Sequence, residues 1–328
     1  MTSPLSEWAP EQALELLPTI ELLARAAGQL ILEVYASDFE VQRKTDHSPV
    51  TLADQRAEAL ITPALQALRP TWPVVAEEAT EAAAKAAAEA AAEAAAEAAA
   101  KATANEAAGK AAGKATKVAA NEATPAAAGV AMSRGLTPAA ARTFWLVDPL
   151  DGTREFVARN GEFTVNIALI HAGAPVLGVV LLPVSGRLFS GVVGHGAWEQ
   201  GAGGEAVRRA LRVRAVPADG LCVAASRSHS DEMALQAFLQ RLMQGQPAMP
   251  RVASRISAGS SLKFGLLAAG QADVYPRFGR TMEWDTAAGH AVLAAAGGSV
   301  CTLDGQPLRY GKPGYENPHF VAWGSRTT

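Results

Sequence analysis

The chain has 328 residues, 49% of them hydrophobic, so it can bury a large core as one domain or as two fused halves. Its net charge of −3 creates no global positive field, which argues against binding to polymeric nucleic acid. No run of about eighteen strongly apolar residues indicates an integral membrane segment, and no basic stretch precedes an apolar run to form a signal peptide. We therefore expect a soluble, cytoplasmic protein, and leave open an association with the inner face of the cell membrane.

The first predicted elements are helices. Apolar residues from Ile20 to Val34 recur at helical spacing, and a second helix follows Asp54 as far as about Leu68. Further along, β-rich runs separated by glycine, proline and serine predict a meander of adjacent strands. These runs are Thr164–Ile170, Val176–Leu182 and Leu188–Val193.

The C-terminal half alternates strands and helices, which implies layers of sheet and helix. Two cysteines, Cys222 and Cys301, lie far apart within apolar surroundings. We expect reduced core residues rather than a metal-binding or catalytic thiol pair. The predicted elements are a strand at Leu221–Ala225, a helix capped by Ser230 or Asp231, a helix capped by Ser260, a strand at Ala272–Tyr275 and a helix beginning at Asp285.

The segment from Glu81 to Ala141 differs in composition from the rest of the chain. It begins as an alanine-rich run with a charge at every fourth position, which can form a solvated helix. It has almost no apolar side chain larger than alanine to anchor it to a core. We interpret residues 81–141 as a low-complexity insertion in a single domain formed by residues 1–80 and 142–328. The alternative is an arm that binds a protein or nucleic-acid partner.

Separated acidic groups predict a metal site. Asp148 and Asp151 are three residues apart across the rigid Pro149 and before the permissive Gly152, so a tight turn can aim both carboxylates at one point. Carboxylates without a nearby histidine or cysteine cluster favour Mg²⁺ over zinc or copper, and Mg²⁺ bound by few carboxylates usually serves phosphate chemistry. The other acidic groups are Asp54, Glu77 with Glu78, and Asp285.

Each of these groups also has an ordinary structural explanation. Asp-Pro-x-Asp-Gly is a common turn sequence, Asp285 can be a helix N-cap, and Asp54 can be a solvated helix residue. Their occurrence together favours the metal site. By contrast, we interpret Thr164 and Asn166 as residues that serve their strand rather than the chemistry.

Eight segments carry a family resemblance. In their order they resemble the lithium-sensitive, Mg²⁺-dependent phosphomonoesterases related to inositol monophosphatase, and within that superfamily the 3′(2′),5′-bisphosphate nucleotidases. The resemblance covers nearly the whole chain except the insertion. The segments are Ser48-Pro-Val-Thr51-x-Ala-Asp54, Glu77-Glu78, Trp145–Phe156, Gly161–Leu169, Ala225–His229, Gly259–Phe264, Tyr275–Gly279 and Trp284–Val292.

The resemblance implies a mixed α/β (α+β) fold, a layered α-β-α-β-α sandwich of the inositol monophosphatase and fructose bisphosphatase type. The N-terminal half then carries the metal motifs and the C-terminal half the substrate-binding motifs. Thr153 with Asp54 resembles the pair that orients and deprotonates the attacking water, and the amides of Gly152 and Thr153 can donate to phosphate oxygens. The implied ligands of two or three Mg²⁺ ions are Glu77, Asp148, the carbonyl of Leu150, Asp151 and Asp285.

The implied substrate is 3′-phosphoadenosine 5′-phosphate, hydrolysed to AMP and phosphate in sulfur assimilation or nucleotide recycling. Ser226, His229, Ser261 and Lys263 are the expected contacts of the nucleotide and its second phosphate. Their alternative explanation is a helix-capping serine cluster and a surface histidine. The roles of Glu78, Tyr275 and Arg277 stay open.

Two other functions remain possible at this point. One is an inositol- or sugar-phosphate phosphatase on the same fold. The other is a regulatory or scaffold protein that acts through the alanine-rich arm, against which stands the full set of metal-binding and water-activating residues. We expect a monomer or a homodimer with a small-molecule partner.

Overall fold

The computed structural model describes residues 10–37, 41–43, 49–90, 92–93, 141–202, 208–227, 232–245 and 251–325. The chain divides into two compact units, Met1–Glu77 with Thr137–Thr328, and Glu78–Leu136. In the second unit, residues 78–90 and 92–93 are helical, and Lys85 forms an exposed ion pair with Glu89 one helical turn later. Residues 94–140, most of the predicted insertion, lie outside the described part of the chain.

Seven α-helices, one 3₁₀ helix (Pro313–Tyr315) and fourteen strands are assigned in the described residues. The helices are α1 (Pro10–Tyr35), α2 (Leu52–Leu68), α3 (77–90), α4 (Thr153–Val157), α5 (Glu232–Gly245), α6 (Leu262–Ala268) and α7 (Glu283–Ala295). The strands are β1 (Val41–Arg43), β2 (Pro49–Thr51), β3 (Val74–Ala76), β4 (Thr143–Asp151), β5 (Thr164–His171), β6 (Ala174–Leu181), β7 (Leu188–Val192), β8 (Gly196–Gln200), β9 (Arg209–Leu211), β10 (Leu221–Ser226), β11 (Val252–Ala258), β12 (Val274–Arg277), β13 (Ser299–Thr302) and β14 (Phe320–Trp323).

The strands form two main sheets. The first has seven strands in the order β3-β4-β5-β6-β7-β8-β9, and β4 to β9 form an antiparallel meander. This arrangement confirms the predicted meander. The second sheet has five strands in the order β11-β10-β12-β14-β13, with parallel and antiparallel pairs. The β1 and β2 strands pair separately as an antiparallel hairpin.

Alternation along β4 explains how the seven-stranded sheet is covered on both faces. Trp145 and Val147 belong to one buried cluster, which also contains the apolar stripes of α1 and α2. Phe144 and Leu146 belong to a second cluster on the other face, together with α6 and α7. Because successive strand residues point to opposite faces, two helical layers sandwich this sheet.

Helix α7 packs very close to the seven-stranded sheet. A side chain at Gly178 would collide with the carbonyl oxygen of Ala288, and one at Gly191 would lie 2.9 Å from the Cα atom of Val292. Glycine at these two positions lets the helix backbone approach the strands directly. The beginning of α7, which carries Asp285, is thereby held at a fixed depth.

The five-stranded sheet completes the layers. Ala224 and Phe320 face the cluster that contains α6 and α7. Val223 and Val321 face the other way and pack with Leu235 of α5. The order of layers is therefore α1/α2, seven-stranded sheet, α6/α7, five-stranded sheet and α5, which confirms the predicted α-β-α-β-α sandwich.

Several local predictions are corrected or confirmed. Ser260 does not cap α6, because it adopts a φ of 43° and directs its hydroxyl elsewhere, and the N-cap position is Ser261. The last helix begins at Glu283 rather than at Asp285. Cys222 and Cys301 are buried free thiols, as predicted. None of the helices in the described ranges combines the length and apolar character needed to span a membrane.

Candidate active site

A β-bulge at the end of β4 places two carboxylates side by side. Asp148 pairs with Asn166 and Asp151 pairs with Thr164, so one extra residue is inserted on β4 between these two pairs. In a regular strand, residues three apart point to opposite faces, and the extra residue restores a common face. The predicted tight turn is therefore wrong in detail, because β4 continues through Asp151, but its consequence for the two carboxylates is the same.

Asp151 receives two side-chain hydrogen bonds from the neighbouring strand. Thr164 Oγ1 and Asn166 Nδ2 each donate to Asp151 Oδ2 over 3.3 Å. Besides their pairing within the sheet, Thr164 and Asn166 thus also contact a carboxylate of the candidate site. Both lie on the face that looks toward α6 and α7, directly opposite the bulge.

Strand register also brings Glu77 to this position. Val75 and Ala76 of β3 pair in parallel with Leu146 and Val147 of β4, so Glu77 follows at the level of Asp148. Asp54 is buried in the first turn of α2, a helix that packs against β4. Both acidic groups raise the pKa of Asp148 by charge repulsion, which places them near it.

Asp285 comes from the opposite side, in the first turn of α7. Its Oδ2 accepts a hydrogen bond of 2.9 Å from the main-chain N–H of Met282, so it does act as a helix cap. Asp285 nevertheless lies close to the other acidic side chains, since its pKa is raised by burial and by repulsion from Asp151 and Glu77. Asp285 can therefore cap α7 and belong to the candidate site at the same time.

The side chains of Asp54, Glu77, Asp148, Asp151 and Asp285 form an acidic group whose members repel one another. Burial, followed by repulsion from Glu77, Asp151 and Asp285, raises the pKa of Asp148 well above its usual range. Burial also raises the pKa of Asp151, although the charge of Lys263 and the hydrogen bond from Asn166 oppose that rise. Four separate elements thus bring acidic side chains together at a buried place where ionised carboxylates need compensating positive charge.

The donor chemistry fits a hard divalent cation, because every donor at this place is an oxygen and the carboxylates repel one another. The individual side chains are held by protein donors: Asp148 by the N–H of Leu150 over 3.0 Å, Asp151 by β5, and Asp285 by Met282. In the described ranges, no three acidic, histidine or cysteine side chains form a ready-made metal-binding group. Binding of a cation would therefore require rotation of one or more of these carboxylates.

Gly152 and Thr153 directly follow the bulge. Gly152 adopts a φ of 91°, a conformation that favours glycine, and Thr153 begins the short helix α4. Thr153 Oγ1 donates to the carbonyl oxygen of Leu150 over 3.3 Å, so two of the predicted site residues contact each other.

Ser261 and Lys263, two of the predicted nucleotide contacts, lie behind the acidic group. Ser261 Oγ donates to the carbonyl oxygen of Asp285 over 2.6 Å. Lys263 is buried, and its Nζ donates to the carbonyl oxygens of Ala258 and Ser260 over 3.0 and 2.5 Å. Burial lowers the pKa of Lys263 to about 8, and the charge of Asp151 counteracts this shift.

The remaining predicted contacts lie at the end of β10. Ser226 is partly buried and pairs with Ala258 on β11, whereas His229 lies outside the described residues. Tyr275 has a structural environment, since its ring packs edge-on against Phe264 at 5.5 Å. Arg277 is also buried and donates to the carbonyl oxygen of Arg280 over 3.2 Å.

Sequence reasoning missed a polar junction beside the bulge. Arg227 forms two hydrogen bonds of 3.0 and 2.8 Å with the carboxylate of Glu162, which also accepts the N–H of Gly259. Ser260 Oγ contacts the carbonyl oxygens of Asp151 and Glu162 at 2.9 and 3.0 Å. The junction links the end of β4 to the β10 and β11 ends. Glu162 and Arg227 both lie within segments of the resemblance, but neither carried a signal that paired them.

Comparisons with known proteins agree with this geometry. The sequence pattern of the inositol monophosphatase family matches residues 13–325. The 3′(2′),5′-bisphosphate nucleotidase CysQ of Escherichia coli (strain K12) is 39% identical over 301 residues, which cover 91% of this chain and 95% of that protein. The CysQ nucleotidase of Buchnera aphidicola is 33% identical over 298 residues, 90% of this chain and 88% of that protein.

Solved structures give the same answer. The crystal structure of CysQ from Bacteroides thetaiotaomicron, described as a bacterial member of the inositol monophosphatase family, has 32% identity and a TM-score of 0.64. The match covers 94% of this chain and 98% of that one. The suhB protein of Bartonella henselae, at 21% identity and a TM-score of 0.62, shares the fold. With its layers, its acidic bulge and nearly its whole length matched, the chain belongs to the inositol monophosphatase family.

Proposed function

We propose that this chain is a 3′(2′),5′-bisphosphate nucleotidase that removes the 3′ phosphate of 3′-phosphoadenosine 5′-phosphate. The products are AMP and inorganic phosphate. The observation that carries the proposal is the 39% identity to CysQ nucleotidases over 91% of the chain. The buried acidic group at the end of β4 supports it, because such carboxylates can hold metal cations, and those cations supply the positive charge that a dianionic phosphoryl group needs in order to bind there.

The family is metal-dependent, and we assign Mg²⁺ to this site. Mg²⁺, when bound, supplies positive charge that stabilises the phosphoryl oxygens during the transfer to water. All the proposed donors are oxygens, as Mg²⁺ prefers, and we propose that they hold two or three ions. The proposed ligands are Glu77, Asp148, the carbonyl oxygen of Leu150, Asp151 and Asp285.

In this proposal Asp54 and Thr153 act on the attacking water. Thr153 orients the water, and Asp54 takes its proton as the water oxygen bonds to phosphorus. The bond between phosphorus and the 3′ oxygen breaks, and that oxygen takes a proton from a solvent water and leaves as a hydroxyl group, while Asp54 returns its proton to solvent. The burial of Asp54 in the first turn of α2, near the charge of Asp148, supports its place in the site.

The substrate side of the proposal uses residues around β10 and α6. Gly152 and Thr153 offer main-chain amides to the reacting phosphate, and Ser226 and His229 offer polar groups to the nucleotide. Lys263 contributes its positive charge, with its Nζ bonded to carbonyl oxygens of the loop formed by residues 258–261. Ser261 belongs to the same loop and connects it to Asp285. We keep the cytoplasmic location and a monomeric or homodimeric state as part of the proposal.

Phosphate release from a substrate panel tests the function. The purified full chain with Mg²⁺ should hydrolyse 3′-phosphoadenosine 5′-phosphate with a higher kcat/KM than inositol 1-phosphate or a sugar phosphate, and EDTA should abolish the activity. Asp285→Ala is the matched inactive control. A comparable or higher kcat/KM for inositol 1-phosphate would overturn the proposal in favour of an inositol phosphatase. Millimolar Li⁺ should inhibit, and insensitivity to it would count against the assigned metal site.

A further inference from the structure

Asn166 lies at the centre of the candidate site but has no role in the proposed reaction. It is buried on β5, opposite the bulge of β4. Its Nδ2 donates to Asp151 Oδ2 over 3.3 Å and to Ser261 Oγ over 3.1 Å. An amide nitrogen carries two hydrogens, so one is available for each acceptor and both bonds can form at once.

The contact with Ser261 extends the connection to α7. The single hydroxyl proton of Ser261 is given to the carbonyl oxygen of Asp285 over 2.6 Å, and its oxygen accepts from Asn166. A continuous path of hydrogen bonds therefore runs from the Asp151 carboxylate through Asn166 and Ser261 to the main chain of Asp285. It joins two acidic residues that lie on different elements, β4 and α7.

We propose that Asn166 is a positioning residue that fixes the spacing between Asp151 and Asp285 for metal binding. Asp151 is oriented directly, through its carboxylate, and Asp285 indirectly, through Ser261 and the first turn of α7. The groups that hold metal ligands in orientation contribute strongly to metal affinity in other proteins. The inference rests on the proposed function, since it assumes that these two aspartates bind the metal.

The choice of an amide at this place has a physical reason. A carboxylic side chain would add a further negative charge to the acidic side chains that already repel one another. An apolar one would remove one of the two side-chain donors of Asp151 and leave only Thr164 on β5. The Oδ1 atom of Asn166 is buried and has no hydrogen-bond partner within the described ranges. The side chain is thus held by its two donor contacts alone.

Mg²⁺ titration of thermal stability and calorimetry test the inference without an activity readout. A ligand that binds the folded state raises Tm with its concentration, so both methods report the Kd of Mg²⁺. Asn166→Ala should raise this Kd by about 10-fold or more, the usual size of such effects. Ser261→Ala should raise it in the same direction. The double variant should be no more than about twofold weaker than Asn166→Ala, because both changes break one path.

Ser190→Ala is the matched control, since it removes another buried polar side chain of the same sheet, on the face that α1 covers. Its Mg²⁺ affinity should equal that of the wild type. An Asn166→Ala protein that loses Tm but keeps the wild-type Kd within about twofold would show a purely structural residue and overturn the inference. If that variant does not fold, Ser261→Ala with an unchanged Kd overturns it. A wild-type protein without any Mg²⁺-dependent rise in Tm contradicts the proposed function itself.

Discussion

The hydroxyl oxygen of Ser260 occupies the space that a side chain on Gly152 would need. Gly152 also has a φ of 91°, in the region that residues with a Cβ atom adopt only under strain. The two residues come from opposite sides of the site, since Gly152 follows β4 and Ser260 precedes α6. Their contact keeps the end of β4 directly against the 258–261 loop.

We expect Gly152→Ala to destabilise the protein and to lower its activity. The added methyl group would displace Ser260 and break the hydrogen bond of that residue to the carbonyl oxygen of Asp151. Strain and steric conflict together should lower the free energy of unfolding by about 2–4 kcal/mol. Gly194→Ala is the control, because Gly194 has a φ of 88° but nothing within 4 Å of its missing side chain. If urea unfolding gave equal losses for both, the contact with Ser260 would be unimportant.

Asp54→Asn should separate proton transfer from metal binding. If Asp54 accepts the proton of the attacking water, kcat should fall by about 10²–10⁴-fold while the Kd of Mg²⁺ stays nearly unchanged. Asp151→Ala and Asp285→Ala should weaken Mg²⁺ binding as well as the rate. The measurement is kcat against Mg²⁺ concentration for all three variants. Rescue of Asp54→Asn by excess Mg²⁺ would contradict its assignment as the base.

The buried Glu283 should matter more for stability than the lysine that pairs with it. Its carboxylate accepts the N–H groups of Gly311 and Lys312 over 2.6 and 2.9 Å, and the Lys312 ammonium over 2.6 Å. Glu283→Ala leaves all these donors without their acceptor and should cost about 3–5 kcal/mol, whereas Lys312→Met should cost about 1–3 kcal/mol. Arg280→Met, which breaks only an exposed pair with Glu316, should change stability by less than about 1 kcal/mol. Chemical denaturation gives the ranking, and the reverse order would refute it.

His290 should make the protein less stable in mild acid. Burial lowers the pKa of His290 to about 3, from an ordinary value near 6.5, and its Nδ1 lies 2.9 Å from the Tyr310 hydroxyl. Below pH 6.5 the unfolded chain therefore binds a proton that the folded protein does not, so stability falls as the pH falls from 6.5 toward 3. At pH 5 this amounts to about 2 kcal/mol.

The variant His290→Gln removes this titration and should reduce the loss of stability between pH 7.5 and pH 5 by about that amount, about 2 kcal/mol. Urea unfolding of both proteins at the two pH values measures the difference. Equal pH dependence in both would show that His290 is protonated in the folded state or already neutral in the unfolded one.

Replacement of residues 81–141 by a short Gly/Ser loop should leave the Mg²⁺-dependent activity largely intact. The segment has almost no apolar side chain above alanine size and can bury little surface. Phosphate release and a thermal melt of the shortened chain test this expectation. Loss of the cooperative melt would show that the segment packs on the core.

The sequence predicts the features that depend on local pattern and leaves out those that depend on topology. The strand meander and the common direction of the Asp148 and Asp151 carboxylates depend on residues close together in the chain. Asn166 and Ser261 are 95 residues apart, and nothing in either segment indicates that they meet. Asn166 looks like any polar residue in a strand until the bulge of β4 lies beside it.

The corrected details have similar physical causes. Ser260 stands where a capping serine is expected, but contacts with the carbonyl oxygens of Asp151 and Glu162 compete for its hydroxyl. The pairing of Glu162 with Arg227 links residues 65 positions apart. Only the assembled layers bring such partners together, and both cases lie where β4, β5 and β10 converge.

The bulge between Asp148 and Asp151 makes this motif sensitive to its length. The direction of the two carboxylates depends on the number of residues between them, while Leu150 itself is buried with the residues of α1 and α2. Deletion of Pro149 or Leu150 would return β4 to regular alternation and turn either Asp148 or Asp151 toward α1 and α2. Over evolutionary time, this stretch should therefore tolerate an apolar replacement of Leu150 more readily than a single-residue insertion or deletion.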